Sequence, residues 1–420
     1  MKKIILLSFI LTLLFLPKGV FAEDDELKSI RLKTNFNIWN VNLNRADLTN
    51  DYTKMFWNGM EVKLSDSLDK SIASQIPHYT KNTTVKGIDF FKVKNYLEKK
   101  IAPTINQEKQ DVTIDIDKDG KIKFEGFAMS GQEIDYEKAF FVIKKAYAKK
   151  ESDVRLPIKE IKPVVTVSNE ELKNKGITSL ISTGETNFAG SPRNRRNNIR
   201  VGLDKFNGQL IAPNDESGAG KILGRVDGST GYLKELVIKG NKTIPEYGGG
   251  LCQVSTTVYR SLLFAGLPIT QRRNHSYAVS YYDPQGLDAT IYPPSVDLKF
   301  KNDTEGYILL QTTTVGNKAY SNVYGTPVDR HIDLIGPYYY SYRNVPPAKT
   351  EYTTELPPGK RQIVGSAHKG FKASWYRRIS YVDQEKKDVL EHIFSNYEAR
   401  PNYTLIGKKT ETNEASDNGT

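Results

Sequence analysis

Gly248-Gly249-Gly250-Leu251-Cys252-Gln253-Val254-Ser255-Thr256-Thr257 is the stretch on which the reading turns. Beyond it, Leu251, Val254, Val258, Leu262 and Ala265 recur at three- and four-residue steps. That spacing predicts a helix from about Leu251 to Ala265, with Gly266 past its end and Pro268 beyond. Cys252 then falls in the first turn. Unpaired backbone N–H groups and the helix dipole favour an anion there, so the thiol should ionise below about 8.5. Gly249 and Gly250 let the backbone approach a substrate closely, and the N–H groups of this turn could stabilise an oxyanion. Gln253, Ser255 and Thr256 follow on or near the Cys252 side, within reach of a bound peptide.

Cysteine usage sharpens this. Cys252 is the one cysteine in 420 residues, so no internal disulfide can form. The chain opens with Lys2 and Lys3, an apolar run from Ile4 to Leu16, and Val20-Phe21-Ala22 before Glu23. This is the pattern of a secretory signal peptide over residues 1–22. The run is short for a membrane span, which takes roughly 20 apolar residues, so no stable span is expected after cleavage. A lone thiol in an exported chain is either buried and inert or kept for its chemistry.

A thiolate nucleophile needs a proton partner. His275 lies in Gln271-Arg272-Arg273-Asn274-His275-Ser276-Tyr277-Ala278-Val279-Ser280-Tyr281, which reads as a strand. A Cys at a helix start with a His on a neighbouring strand is the arrangement of papain-like and NlpC-type enzymes. A third group should fix the imidazole tautomer. Asp288 is the first candidate and Asp297 the second. The basic run Arg193 to Arg200 contains Arg195, a candidate contact for a substrate carboxylate or wall phosphate. The five histidines and the one cysteine show no zinc-ligand spacing, so neither a metal nor a cofactor is expected. Asp115-Ile-Asp117-Lys-Asp119-Gly120 starts like a calcium loop, but the twelfth position is Gly126 rather than Glu. Alternating Val112, Ile114, Ile116 and then Ile122, Phe124 around Asp119-Gly120 predict a β-hairpin instead.

Outward from this centre the chain reads as multidomain α+β. Residues 23–167 form an α+β N-terminal domain, with one helix over Ile88–Ile101 and another capped by Asp135 and running through Lys149. Pro157 and Pro163 mark a linker. Residues 168–330 are an α+β domain that holds the chemistry. Residues 331–408 form a small β-rich C-terminal domain, on alternating patterns such as Arg377 to Val382, and 409–420 form a disordered polar tail. The net charge of +11 suits anionic wall polymers. Export and the lack of any nucleic-acid module motif argue against a nucleic-acid partner.

From roughly Ile181 to Val328 the sequence resembles the VanW domain. The resemblance runs through Arg195-Arg196-Asn197-Asn198-Ile199, Gly231-Tyr232, Gly248 to Thr257, Arg272, His275, Tyr281, Gly286-Leu287-Asp288-Ala289-Thr290 and Asp297 to Asn302. It departs at Asn214-Asp215-Glu216-Ser217, which lacks the family's aromatic. Residues of about 60–165 resemble a peptidoglycan-binding domain that often precedes VanW domains. Some members of the family are regarded as L,D-transpeptidases, and others have no settled activity. The resemblance therefore implies an exported, extracytoplasmic cell-wall enzyme that forms third-to-third peptidoglycan cross-links through a Cys252 thioester. His275 would be the proton partner. Gly249, Gly250, Gln253, Ser255, Thr256, Arg195 and Arg272 would contact the substrate, and peptidoglycan stem peptides and glycan would be the partners. A non-catalytic wall-binding or assembly protein, and a cysteine peptidase or amidase acting on stems, stay open at this point.

Overall fold

The structure is a computed structural model that describes residues 27, 29–34, 37–43, 47–57, 60–62, 80–239, 242–383 and 385–409. The leader expected over 1–22 and the tail beyond Lys409 lie outside those residues. Among the described residues no helix is long and apolar enough to cross a membrane. Helices and small mixed sheets alternate along the chain, an α+β protein with several domains.

Two units emerge. The first draws on Met1–Lys33, Ile38–Ile101 and Asp135–Pro157. In it, Ser29–Lys33 pairs antiparallel with Ile38–Asn42 and parallel with Asp153–Arg155. Thr49–Trp57 lies between Met60–Val62 and Thr80–Ile88. The helix Phe90–Tyr96 starts where the Asp89 carboxylate accepts from the Lys92 N–H, and it widens into a π-helical turn over Leu97–Ile101. The helix Tyr136–Lys149 begins as expected at Asp135, whose side chain accepts from the Lys138 N–H. Such a cap contributes about 1 kcal/mol. Ala139, Ile143 and Ala146 form its buried stripe, at the spacing of one helical face.

The second unit draws on Thr34–Asn37, Ala102–Ile134 and Ile158–Thr420. The hairpin expected around Asp119-Gly120 is present: Gln110–Ile116 pairs with Ile122–Met129. The stretch read as a linker between Pro157 and Pro163 is instead paired backbone. Ile158–Ile161 runs antiparallel to Gly131–Ile134, and Val165–Val167 joins Val112–Ile114 in parallel. Prolines at strand edges are compatible with pairing because their missing N–H falls outside the ladder.

The centre of this unit is a helix that buries nearly its whole circumference. Elements used below are numbered from here: β1 is Ser179–Asn187, α1 Arg193–Phe206, β2 Gln209–Ile211, α2 Ala219–Leu223, α3 Leu251–Phe264, β3 Ile308–Val315 and β4 Lys318–Gly325. Helix α3 appears over almost the predicted span. Every residue from Gln253 through Leu263 is buried. A helix buried on all sides must satisfy its polar side chains internally, and α3 does so. Thr257 Oγ1 donates to the Gln253 carbonyl at 2.7 Å and Ser261 Oγ to Val258 at 2.8 Å. Buried Arg260 binds the carbonyls of Glu185, Tyr282 and Leu287. The helix lies on an antiparallel sheet of order β1-β4-β3-β2. Contact with β1 is backbone to backbone: a Cβ at Gly184 would fall 2.3 Å from the Ser261 nitrogen and 2.4 Å from the Thr257 oxygen. Only glycine permits that approach. Val254, Val258 and Leu262 of α3 join Ile199, Leu203 and Phe206 of α1 in one core.

The C-terminal part is β-rich, as its alternating sequence suggests. Strands β5 (His331–Arg343), β6 (Gly370–Ser380) and β7 (Val389–Tyr397) form one antiparallel sheet. A second sheet places Tyr403–Gly407 between Lys349–Thr353 and Arg361–Gly365. The first sheet closes the far end of α3. Buried Arg377 of β6 donates to the carbonyls of Leu263 and Leu267, each at 3.0 Å. A cation there meets the negative end of the helix dipole.

Candidate active site

Cys252 sits in the first turn of α3, half-buried. The turn is built by the glycine loop before it. Gly250 is the N-cap, with φ of 118°, a left-handed conformation that strains any residue with a Cβ. The loop is pinned to α1 by buried Asn198. Its Nδ2 donates to the carbonyls of Gly249 at 3.0 Å and Leu233 at 2.9 Å, and its Oδ1 accepts from the Leu233 N–H. The N–H groups of Leu251 and Gln253 turn back to Gly248 and Gly250. The Cys252 N–H is one of the orphan donors that every helix start leaves. The sulfur lies 3.3 Å from Thr290 Oγ1 and 3.7 Å from the Ile291 carbonyl oxygen.

His275 stands close enough to Cys252 to act on its thiol. It is not on a strand, a correction to the reading of residues 271–281. The strand there stops at Gln271. The His275 N–H is taken by a side chain rather than a sheet partner, donating to Asp288 Oδ2 at 2.8 Å. The same oxygen lies 2.5 Å from His275 Nδ1. Tyr282 stacks on the ring with centroids 4.8 Å apart. Imidazole plane, tautomer and backbone are therefore fixed by two neighbours. With Nδ1 engaged by Asp288, Nε2 is the nitrogen left to the sulfur.

Between the two acidic candidates the geometry is unambiguous. Asp288 is 1% exposed and His275 6%. Asp288 Oδ1 accepts from the Tyr397 hydroxyl at 2.5 Å and from Arg272 Nη2 at 3.3 Å. Asp297 lies elsewhere: its Oδ1 accepts from the N–H groups of Gly220, in the first turn of α2, and Leu298.

Charge follows from these contacts. Burial alone would raise the Cys252 pKa, but the hydrogen bond and positive charge of His275 overcome it and bring it down to about 7. Burial would also keep His275 neutral, yet the bond to Asp288 and the nearby sulfur raise it to about 9. Asp288 stays ionised well below the usual carboxylate range despite burial, because His275 and Arg272 face it. Between those two values the buried pair exists as thiolate and imidazolium, titrating as one coupled unit.

The expected substrate contacts divide. Arg195 is half-buried beside the glycine loop. Its guanidinium carbon lies 4.9 Å from the Tyr281 ring centroid, and its Nη2 donates to Gln253 Oε1 at 3.1 Å. Its buried Nε has no hydrogen-bond partner. Gln253, Ser255 and Thr256 are wholly enclosed, so packing gives them an internal place. Gln253 Nε2 donates to Thr186, and Thr256 Oγ1 accepts from the Ala289 N–H at 3.0 Å, which holds the segment carrying Asp288 against α3. Arg272 stands behind the acid. Its Nε, Nη1 and Nη2 are taken up by Asp288, Gly286, Phe394 and Ser395, so it braces Asp288 rather than facing a ligand. Sequence reasoning passed over Tyr282 and Tyr397, and gave Thr290 and Asn198 no role beyond their motifs. Thr290 ends a segment already singled out for Asp288, but nothing in the local pattern around Tyr397 points to this site.

The arrangement defines a domain in which a thiol, an imidazole and a carboxylate gather at a helix start. Residues 194–324 match the family model described as VanW like protein. The chain thus carries a VanW-like domain that contains Cys252, His275 and Asp288. Among curated proteins, YoaR of Bacillus subtilis (strain 168) is 28% identical over 182 residues, covering 43% of this chain and 59% of that protein. The vancomycin B-type resistance protein VanW of Enterococcus faecalis (strain ATCC 700802 / V583) is 31% identical over 113 residues, covering 26% of this chain and 41% of the relative. The matched stretches thus span about half the length of these relatives.

Proposed function

We propose that this chain is an exported cell-wall L,D-transpeptidase that works through a Cys252 thioester. The observation that carries the reading is Cys252 in the first turn of α3 beside a His275 ring that Asp288 holds at 2.5 Å and that lowers the thiol pKa. A relative named as a vancomycin resistance protein is in keeping with a role at the wall, and so is the leader expected over residues 1–22.

The Cys252 thiolate attacks the carbonyl carbon that joins the third stem residue to a terminal D-Ala. The oxyanion that forms lies near the Cys252 N–H, which donates to it. The His275 imidazolium gives its Nε2 proton to the departing D-Ala nitrogen as the C–N bond breaks, leaving a thioester and a neutral imidazole. A side-chain amine from the third residue of another stem then attacks the thioester. His275 takes the amine proton, the C–S bond breaks, and the thiolate–imidazolium pair is restored. Asp288 keeps the imidazole in the tautomer that both steps need. The half-buried Arg195 guanidinium beside the glycine loop is suited to the carboxylate of the terminal D-Ala. Water in place of the amine would make the same site a carboxypeptidase.

The test is mass spectrometry of the mature protein incubated with purified disaccharide-tetrapeptide, beside Cys252→Ala. Stem dimers and free D-Ala with the wild type, and neither with the variant, are expected. D-Ala without dimers in any acceptor concentration would replace transfer by hydrolysis. Equal turnover by a folded Cys252→Ala protein would overturn the reading.

A further inference from the structure

Asp288 is held in part by a residue from beyond the matched stretch 194–324. Strand β7 lies along the segment that carries His275 and Asp288. Asn274 Nδ2 donates to the Asn396 carbonyl at 2.9 Å, the Glu398 N–H donates to Ser276 at 2.6 Å, and Trp375 Nε1 of the adjoining β6 donates to Gln285 at 2.8 Å. At the end of β7, fully buried Tyr397 reaches Asp288 Oδ1 at 2.5 Å.

We propose that Tyr397 is a positioning residue for the catalytic carboxylate, so that the C-terminal sheet is a working part of the active site. This rests on Cys252 and His275 acting as the reactive pair. The carboxylate offers about four acceptor positions, and four donors reach it. His275 Nδ1 and N–H take Oδ2; Arg272 Nη2 and Tyr397 OH take Oδ1. Arg272 is the longer of the two on Oδ1, so the tyrosine sets the rotation of the carboxyl group. Its own orientation is dictated by Gly286, whose N–H donates to the Tyr397 oxygen at 2.8 Å. That contact occupies a lone pair and leaves the hydroxyl proton aimed at Asp288. The ring is held by Phe371, with centroids 5.1 Å apart. Burial and the neighbouring carboxylate keep the phenol protonated far above its ordinary range, so the donor persists wherever the pair is active. Without this tether the carboxyl can rotate, Oδ2 leaves His275 Nδ1, the imidazolium loses its counter-ion and the thiolate its cation.

The experiment is the pH dependence of Cys252 alkylation by iodoacetamide in the full chain, with thermal melting recorded beside it. Tyr397→Phe removes one hydroxyl and keeps the ring packing. Its alkylation midpoint is expected to rise by about half a pH unit or more. Trp375→Phe cuts a different hydrogen bond of the same interface; it should lower the melting temperature and leave the midpoint in place. A Tyr397→Phe protein with reduced melting temperature and wild-type midpoint would overturn the proposal. Should Tyr397→Phe not fold, 3-fluorotyrosine placed at position 397 reports by fluorine NMR. Its resonance should titrate with the alkylation midpoint, and a flat response across that transition overturns the proposal equally. Neither readout requires turnover of wall substrate. Absence of cross-linked product with a normal midpoint would therefore remove the transferase reading and leave the positioning role standing.

Discussion

Asp288 grips His275 twice with one oxygen: Oδ2 lies 2.5 Å from the ring Nδ1 and 2.8 Å from the backbone N–H of the same residue. Ring and main chain are thus referred to one fixed point, and the imidazole cannot turn without losing one bond or the other. Such a grip holds a base in one tautomer through both halves of a double-displacement reaction.

Replacing Asp288 by Asn keeps the shape and removes the charge. Acylation, followed as D-Ala release, should fall by about 100-fold or more, since the tautomer is no longer enforced. The melting temperature should fall as well, because half-buried Arg272 loses its counter-ion. Asp297→Asn should leave acylation near wild type and cost about 1 kcal/mol, as expected for a carboxylate that only caps α2. A larger loss of acylation in Asp297→Asn than in Asp288→Asn would reverse the assignment.

The pH dependence has a definite sign. Cys252 ionises at about 7 and His275 loses its proton at about 9. Alkylation of the thiol should rise through the first value, and D-Ala release should be bell-shaped with its maximum between the two. The contributions to stability run in opposite directions. His275, raised in the folded state, stabilises fully below its unfolded value and less as pH climbs toward about 9. Cys252, lowered in the folded state, stabilises fully above its unfolded value and less as pH falls toward about 7. Melting curves of wild type and Cys252→Ala should converge at low pH and separate as pH rises.

Arg195→Ala tests recognition apart from chemistry. Loss of a charge-assisted contact to a substrate carboxylate should raise KM for the tetrapeptide by about 10-fold, corresponding to about 1.4 kcal/mol. The alkylation rate of Cys252 should change little. An unchanged KM would place the carboxylate elsewhere.

Gly184→Ala tests the seat of α3. The added methyl would stand 2.3 Å from the Ser261 nitrogen, and neither backbone can give way cheaply. A loss of about 3 kcal/mol is expected, read from denaturant unfolding. A loss below about 0.5 kcal/mol would mean that β1 and α3 separate easily.

Much of the local structure was legible because local chemistry carries it. Asp135 capped its helix as expected, since an Asx carboxylate needs only the N–H groups three residues on. The hairpin formed around Asp119-Gly120 for the same kind of reason. The linker between Pro157 and Pro163 was misread, because partners of single strands lie far along the chain, and no local pattern announces them. The strand expected at His275 failed similarly. Its residues have the composition of a strand, but a carboxylate thirteen residues away claims the His275 N–H.

The sequence by itself determined that an apolar helix would begin at a glycine loop and carry the lone thiol in its first turn, because periodicity and glycine act over a few residues. Tertiary structure alone decided the rest. It set Asp288 rather than Asp297 against His275, enclosed Gln253, Ser255 and Thr256, turned Arg272 into a brace, and brought Tyr397 onto a carboxylate 109 residues before it. Hydrogen bonds between distant residues depend on how whole sheets pack against α3, and that geometry is a property of the folded core rather than of any stretch of chain.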